Sequence, residues 1–149
     1  VAVFIGSPRM NFLPARVASI DENGVTVTLE GTGEVVRLPL QGSRLSVDAP
    51  LTFGVRPEHL EPISTEAPPP GDGRALTLTR QVSLVEALGE HSYVHLEQPR
   101  GGVLIAKAPG DAGLKPGDRA HFRAPVSACH LFAEDGFAIE QLDAIEQHA

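Results

Sequence analysis

A chain of 149 residues suits one medium domain or two small ones that share a core, and it leaves no room for separate substrate and cofactor domains. Twelve Lys and Arg against nineteen Asp and Glu give a formal charge of -7, which repels a nucleic-acid backbone or an anionic membrane face; proteins or neutral molecules are the expected partners, and nucleic acid is not. The single cysteine, Cys129, cannot close an internal disulfide and fits a reducing compartment such as a bacterial cytoplasm, and no apolar run approaches the roughly 20 residues needed to cross a bilayer as a helix.

The sequence opens at Val1 with the strand-like "VAVFIG" and no basic leader or cleavage site, as a piece cut from a longer chain would. Helix is expected only around "SPRMNF", at a turn "PEHL", and in the C-terminal "IEQLDAIEQHA", which reads equally as a frayed tail. The clearest pattern is "ARVASIDENGVTVTLEG". There Val25, Val27 and Leu29 alternate with Thr26, Thr28 and Glu30, and Asn23-Gly24 supplies a left-handed turn between two antiparallel strands. "EVVRLPL" and "LTFGVRP" follow as strands, and Asp135-Gly136 in "EDGF" offers a last hairpin after "LKPGDRAHFRAP".

The proline-rich "STEAPPPGDGR" at 64–74 marks a boundary, which divides the chain into a unit at 1–66, a Pro/Gly linker at 67–73 and a unit at 74–149. "RVASIDENGVTVTLE" and "RQVSLVEALGEHSYVHLE" both run from an Arg through an apolar strand and a glycine turn to Leu-Glu, the mark of a duplicated β unit. The fold class is therefore all-β, with two small five-stranded barrels or half-barrels packed together and few free edges.

The chemical motifs read as structure. His91 and His95 have the spacing of a helical zinc pair, but "HSYVHLE" alternates as a strand and sets them about 13 Å apart, so they cannot share an ion. Cys129 and His130 are adjacent and point to opposite faces of a strand, which makes Cys129 a buried structural thiol. No G-x-S-x-G elbow and no phosphate-cradling G-x-x-x-x-G-K-[ST] occurs, and Val36 stands where "GTGEVV" would need a third glycine. No residue is assigned a catalytic, cofactor-binding or metal-ligating role.

"LTFGVRPEHL" places Arg56, Glu58 and His59 beside Pro57. Leu51, Phe53 and Val55 alternate toward the core, and Gly54 on the other face permits close approach of another backbone. Pro57 keeps Arg56 extended and starts a helical turn on which Glu58 and His59 diverge by about 100°. The plain reading is a strand-to-turn joint with an Arg56–carboxylate bond; the functional one is a rigid charged corner that contacts a neighbouring domain.

"VAVFIGSPRMNFLPARV", "LTFGVRPEHL" and "VSLVEALGEHSYVHLE", followed by "LKPGD" and "CHLFAEDGFAI", resemble in order and spacing the C-terminal region of the ATP-binding subunits of bacterial ABC importers, of the maltose-type and glycerol-phosphate-type class. The likeness covers nearly the whole chain. It implies a regulatory domain of two OB-like barrels of the TOBE or Mop-like kind, cytoplasmic and peripheral on the inner face of the membrane, with ATP and Mg handled by an N-terminal ATPase domain. The implied partners are that domain, a second ATPase subunit in a dimer, the transporter's membrane subunits through the ATPase domain, and in some members a regulatory protein. The first motif falls on Phe4, Ile5, Gly6, Ser7, Pro8, Met10, Asn11 and Phe12. The second falls on Gly54, Arg56, Pro57, Glu58, His59 and Leu60, and the third on Val85, Glu86, Leu88 and Gly89; all are expected to be structural or interface positions. Val3 departs from the glycine or alanine of many members, and the proline-rich spacer departs in length and composition. The alternative is a Mop-like module that binds a small oxyanion of the molybdate type, although the chain shows no clear S-A-R-N-type signature.

Overall fold

Alternation in the sequence becomes burial in space. The computed structural model describes residues 9–40, 45–63, 75–99 and 103–133. Its strands are β1 (Asn11–Asp21), β2 (Gly24–Leu29), β3 (Val35–Leu38), β4 (Pro50–Val55), β5 (Glu61–Ile63), β6 (Ala75–Ala87), β7 (His91–Glu97), β8 (Val103–Pro109), β9 (Arg119–Pro125) and β10 (Cys129–Phe132). They form two antiparallel five-stranded sheets, ordered β10-β4-β1-β2-β3 and β5-β9-β6-β7-β8. Among the described residues helical structure is confined to short 3-10 turns such as Pro57–His59 and Val126–Ala128, and no helix is long and apolar enough to cross a membrane.

The two sheets are built on one plan. In β1 the register slips between Val17 and Ser19, and in β6 it slips between Val82 and Leu84. At each slip the valine turns its backbone to an outside loop. The Val17 N–H donates to the Ala49 carbonyl and the Asp48 N–H donates to the Val17 carbonyl; likewise the Val82 N–H donates to Asp118 and the Gly117 N–H to Val82. Asp48 (φ 73) and Gly117 (φ 92) hold the same left-handed position in their repeats. The duplication read from sequence thus extends to matching bulges, which coil each sheet toward a half-barrel.

The last strand of each repeat crosses over. β5 pairs with β9 of the second repeat, and β10 pairs with β4 of the first. The segment at 64–74 lies outside the described residues, but the sheets on either side of it exchange strands reciprocally. One hydrophobic cluster accordingly runs through both, from Val27, Leu38 and Phe53 to Leu78, Leu104 and Phe122. Phe53 and Phe122 are fully buried, each contributing on the order of 2–3 kcal/mol through apolar burial.

Three local expectations change. The residues between the paired Asp21 and Gly24 are Glu22 and Asn23, neither left-handed; the Asn23 N–H bonds to the Asp21 carboxylate at 2.7 Å, and Gly24 opens β2. Glycine is required there because a Cβ would lie 2.3 Å from the Leu38 carbonyl oxygen. Asn11 and Phe12 are not helical: they begin β1, paired with Val55 and Gly54, because β4 offers them a ladder. The "EDGF" hairpin and the C-terminal "IEQLDAIEQHA" lie outside the described residues.

Candidate functional site

Phe12, Gly54 and His130 stand opposite one another across β1, β4 and β10, on the sheet face away from the core. Leu51, Phe53 and Val55 face inward and are buried as the alternation requires. Gly54 leaves a hollow in the outer face, and side chains fill it. A Cβ there would lie 2.6 Å from the Met10 sulfur and 3.0 Å from Phe132 Cε2, so the close approach expected at this glycine is made by side chains and not by a backbone. Phe132 meets the Phe12 ring edge-on at 5.8 Å between centroids and the His130 ring at 6.4 Å. Phe12 nevertheless remains 58% exposed, far more than a ring with a purely internal role would be.

Around this row the charge is positive. Burial lowers the His130 imidazole below its ordinary pKa, and the nearby charges of Arg56 and His59 push in the same direction. Arg56 is extended and exposed; among the described residues it makes no ion pair of the anticipated Arg–carboxylate kind, and its charge lies near the His130 imidazole. Pro57 starts the 3-10 turn and is buried, Glu58 is partly exposed, and His59 points to solvent.

Asn11 has a different task. Its side chain is 7% exposed, and it makes two hydrogen bonds of 2.9 Å to Ile105 on β8, donating to the carbonyl and accepting from the N–H. Asn11 thereby behaves as one extra residue of strand, joining the first sheet to the outer edge of the second. At the other junction Arg80 on β6 reaches Glu34 beside β3 at 2.5 Å, with its Nε on Gln98 and a further bond to the Thr79 carbonyl. Burial raises the Glu34 carboxyl, but the bonds from Arg80 and Thr32 outweigh it, and the net shift is downward.

The remaining candidates scatter. Glu86 pairs with His95 at 2.7 Å on the outer face of the second sheet, and Gly89 is an exposed left-handed turn residue (φ 93) between β6 and β7. His91 stacks edge-on to Tyr93. Cys129 is buried, its Sγ bonds to the Pro125 carbonyl, and burial pushes its pKa up to about 12. Gly6, Ser7 and Pro8 lie outside the described residues. Sequence reasoning missed Phe132, His130, Arg80 and Glu34; the only local signal for the first two was a glycine in the strand they cover.

Comparison with known proteins agrees with this architecture. The chain matches the family described as MalK OB fold domain over residues 6–60 and the TOBE domain family over residues 53–132. The two matches overlap at the end of the first repeat, where the chain crosses between sheets. It is 35% identical over 147 residues to the maltose/maltodextrin import ATP-binding protein MalK of Mannheimia succiniciproducens, covering 97% of this chain and 37% of that protein. It is 36% identical over 143 residues to the MalK of Photorhabdus laumondii, covering 95% and 36%. The chain thus spans little more than a third of the length of these relatives. A crystal structure of the cytoplasmic molybdate-binding protein ModG with molybdate bound superposes with a TM-score of 0.70 at 19% identity, covering 83% of this chain and 95% of that one, which is a likeness of fold.

Proposed function

The chain belongs to the TOBE domain family, and from that premise we propose that it is the regulatory and dimerising domain of an ABC importer's ATP-hydrolysing subunit. The parent would take up a carbohydrate or related solute (a sugar, a polyol or a glycerol phosphate), and the 35% identity to maltose/maltodextrin import proteins favours the sugar. ATP and Mg would be handled by the parent's nucleotide-binding part, and the domain would sit at the cytoplasmic face of the membrane through that part and the membrane subunits. Its own contribution is mechanical: a rigid body that keeps two ATPase subunits together through their cycle.

The observation that carries this reading is the outward-facing row of exposed Phe12 and half-buried Phe132 and His130 over Gly54. Two copies each carrying a charge of -7 repel one another in general, so a contact between them is favoured where carboxylates are few, and among the described residues this row is built from aromatic rings and Met10. An edge-to-face aromatic cluster also supplies the rigid, large contact area typical of interface hot spots. One cation that would suit an oxyanion, the Arg80 guanidinium, is already committed to Glu34, Gln98 and the Thr79 carbonyl.

Sedimentation equilibrium tests the proposal. A concentration-dependent dimer is expected, and Phe12→Ala should weaken it by about 2 kcal/mol, roughly thirtyfold, without loss of fold. A chain that stays monomeric at every accessible concentration, or a dimer indifferent to Phe12→Ala, contradicts it.

A further inference from the structure

The second sheet carries a cavity that the dimer reading does not use. It has a volume of about 780 Å³, within the range of small-molecule sites, and opens where the 3-10 turn and β5 approach the ends of β7 and β8. Its lining combines apolar Ile63, Pro109 and Leu114 with polar Glu58, Glu61, Glu90, His91 and Lys107. Among the described residues none of these five polar side chains takes part in an ion pair or a side-chain hydrogen bond, whereas Asn11 and Arg80, at the junctions of the two sheets, are paired. Tyr93 stands opposite Lys107 in the ladder and two residues from His91, so the three share one sheet face, with the Tyr93 and His91 rings 5.4 Å apart.

The chemistry selects a ligand class. Three carboxylates against one ammonium make the lining negative, which disfavours phosphate esters, nucleotides and other anions. Lys107 sits among those carboxylates and would compete with a cation for them. What remains is a neutral molecule whose polar groups both donate and accept, as hydroxyls do, and whose carbon face can lie against Ile63, Pro109 and Leu114. We propose that this cavity binds an uncharged polyhydroxylated ligand, a sugar or short oligosaccharide, through the Glu61 and Glu90 carboxylates and the Lys107 ammonium. Glu61 and Lys107 lie on strands of the second sheet and the aromatic row on the first, so the binding site and the dimer face can fail independently.

Tyr93 supplies the probe, because the chain has one tyrosine and no tryptophan and its intrinsic emission reports on this face alone. Titration with maltotriose should give a saturable change in Tyr93 emission below about 10 mM. Lys107→Ala and Glu61→Gln should each weaken binding about tenfold, the loss of a charged hydrogen bond. Glu22→Gln, in the remote β1–β2 turn, should leave it unchanged, and circular dichroism checks that each variant is folded. Absence of saturation with maltotriose overturns the proposal. So does an equal or stronger response to spermidine or molybdate, or maltotriose binding indifferent to both cavity variants.

Discussion

Replacing Asn11 by alanine removes a side chain that stands in for a strand between the two sheets. Its two 2.9 Å hydrogen bonds to Ile105 contribute about 1 kcal/mol each. Their loss also leaves the Ile105 N–H and carbonyl without a partner in a partly buried setting, a penalty of roughly 1–2 kcal/mol more. Asn11→Ala should therefore cost about 3 kcal/mol, a shift of about 1–2 M in the urea midpoint. Asn11→Asp refines the test. One carboxylate oxygen could still accept from the Ile105 N–H, but the other would face the Ile105 carbonyl, which disfavours the charged form and raises the folded-state pKa of the new acid. Its deficit relative to wild type should thus be full at neutral pH and shrink as pH falls toward about 4, where the protonated carboxyl can donate as the amide did. Urea unfolding followed by circular dichroism measures both effects. A cost below about 0.5 kcal/mol for Asn11→Ala would refute the clamp.

The second polar junction should be asymmetric. Glu34→Ala strands the buried Arg80 guanidinium and should cost about 3 kcal/mol, whereas Arg80→Met leaves a carboxylate that reaches water and should cost roughly half of that. Because the Glu34 carboxyl is lowered from 4.5 in the fold, its contribution is complete above that value and is lost as pH falls through the folded pKa, so acid unfolding should begin at higher pH in wild type than in an Arg80→Met, Glu34→Gln double variant. Gly110→Ala should destabilise by more than about 2 kcal/mol in thermal melts, because its Cβ would lie 2.1 Å from the Gly89 carbonyl oxygen. Cys129, with its pKa pushed up to about 12, should resist thiol-labelling reagents at pH 8 until denaturant exposes it; rapid labelling of the native protein would contradict its burial.

The strands were legible because period-2 patterning is a local signal. Val25, Val27 and Leu29 alternate in sequence and are all buried in β2, and the same holds for Leu51, Phe53 and Val55 in β4. The duplication was legible too, since both repeats keep the valine at which the bulge forms. The reciprocal exchange was not. β5 has three residues and β10 four, too few for a periodic pattern, and each finds its partner in the other repeat. The site shows the same division. Family resemblance pointed to Asn11, Phe12 and Gly54, but Asn11 acts on Ile105, 94 positions away, and Phe12 meets Phe132 only because β10 crosses to β4. Arg56 looked like half of an ion pair because carboxylates flank it in sequence; the turn started by Pro57 carries Glu58 away and leaves the His130 imidazole nearby.

The central claim is that two copies of this domain meet through the β1–β4–β10 face. A dilution series of amide and aromatic NMR spectra tests it most directly. The account predicts that resonances of Phe12, Gly54, His130 and Phe132 shift together with one dissociation constant, while those of the β7–β8 face, including Tyr93, stay fixed. Shifts centred on Tyr93 and Lys107, or none over the whole concentration range, would contradict it.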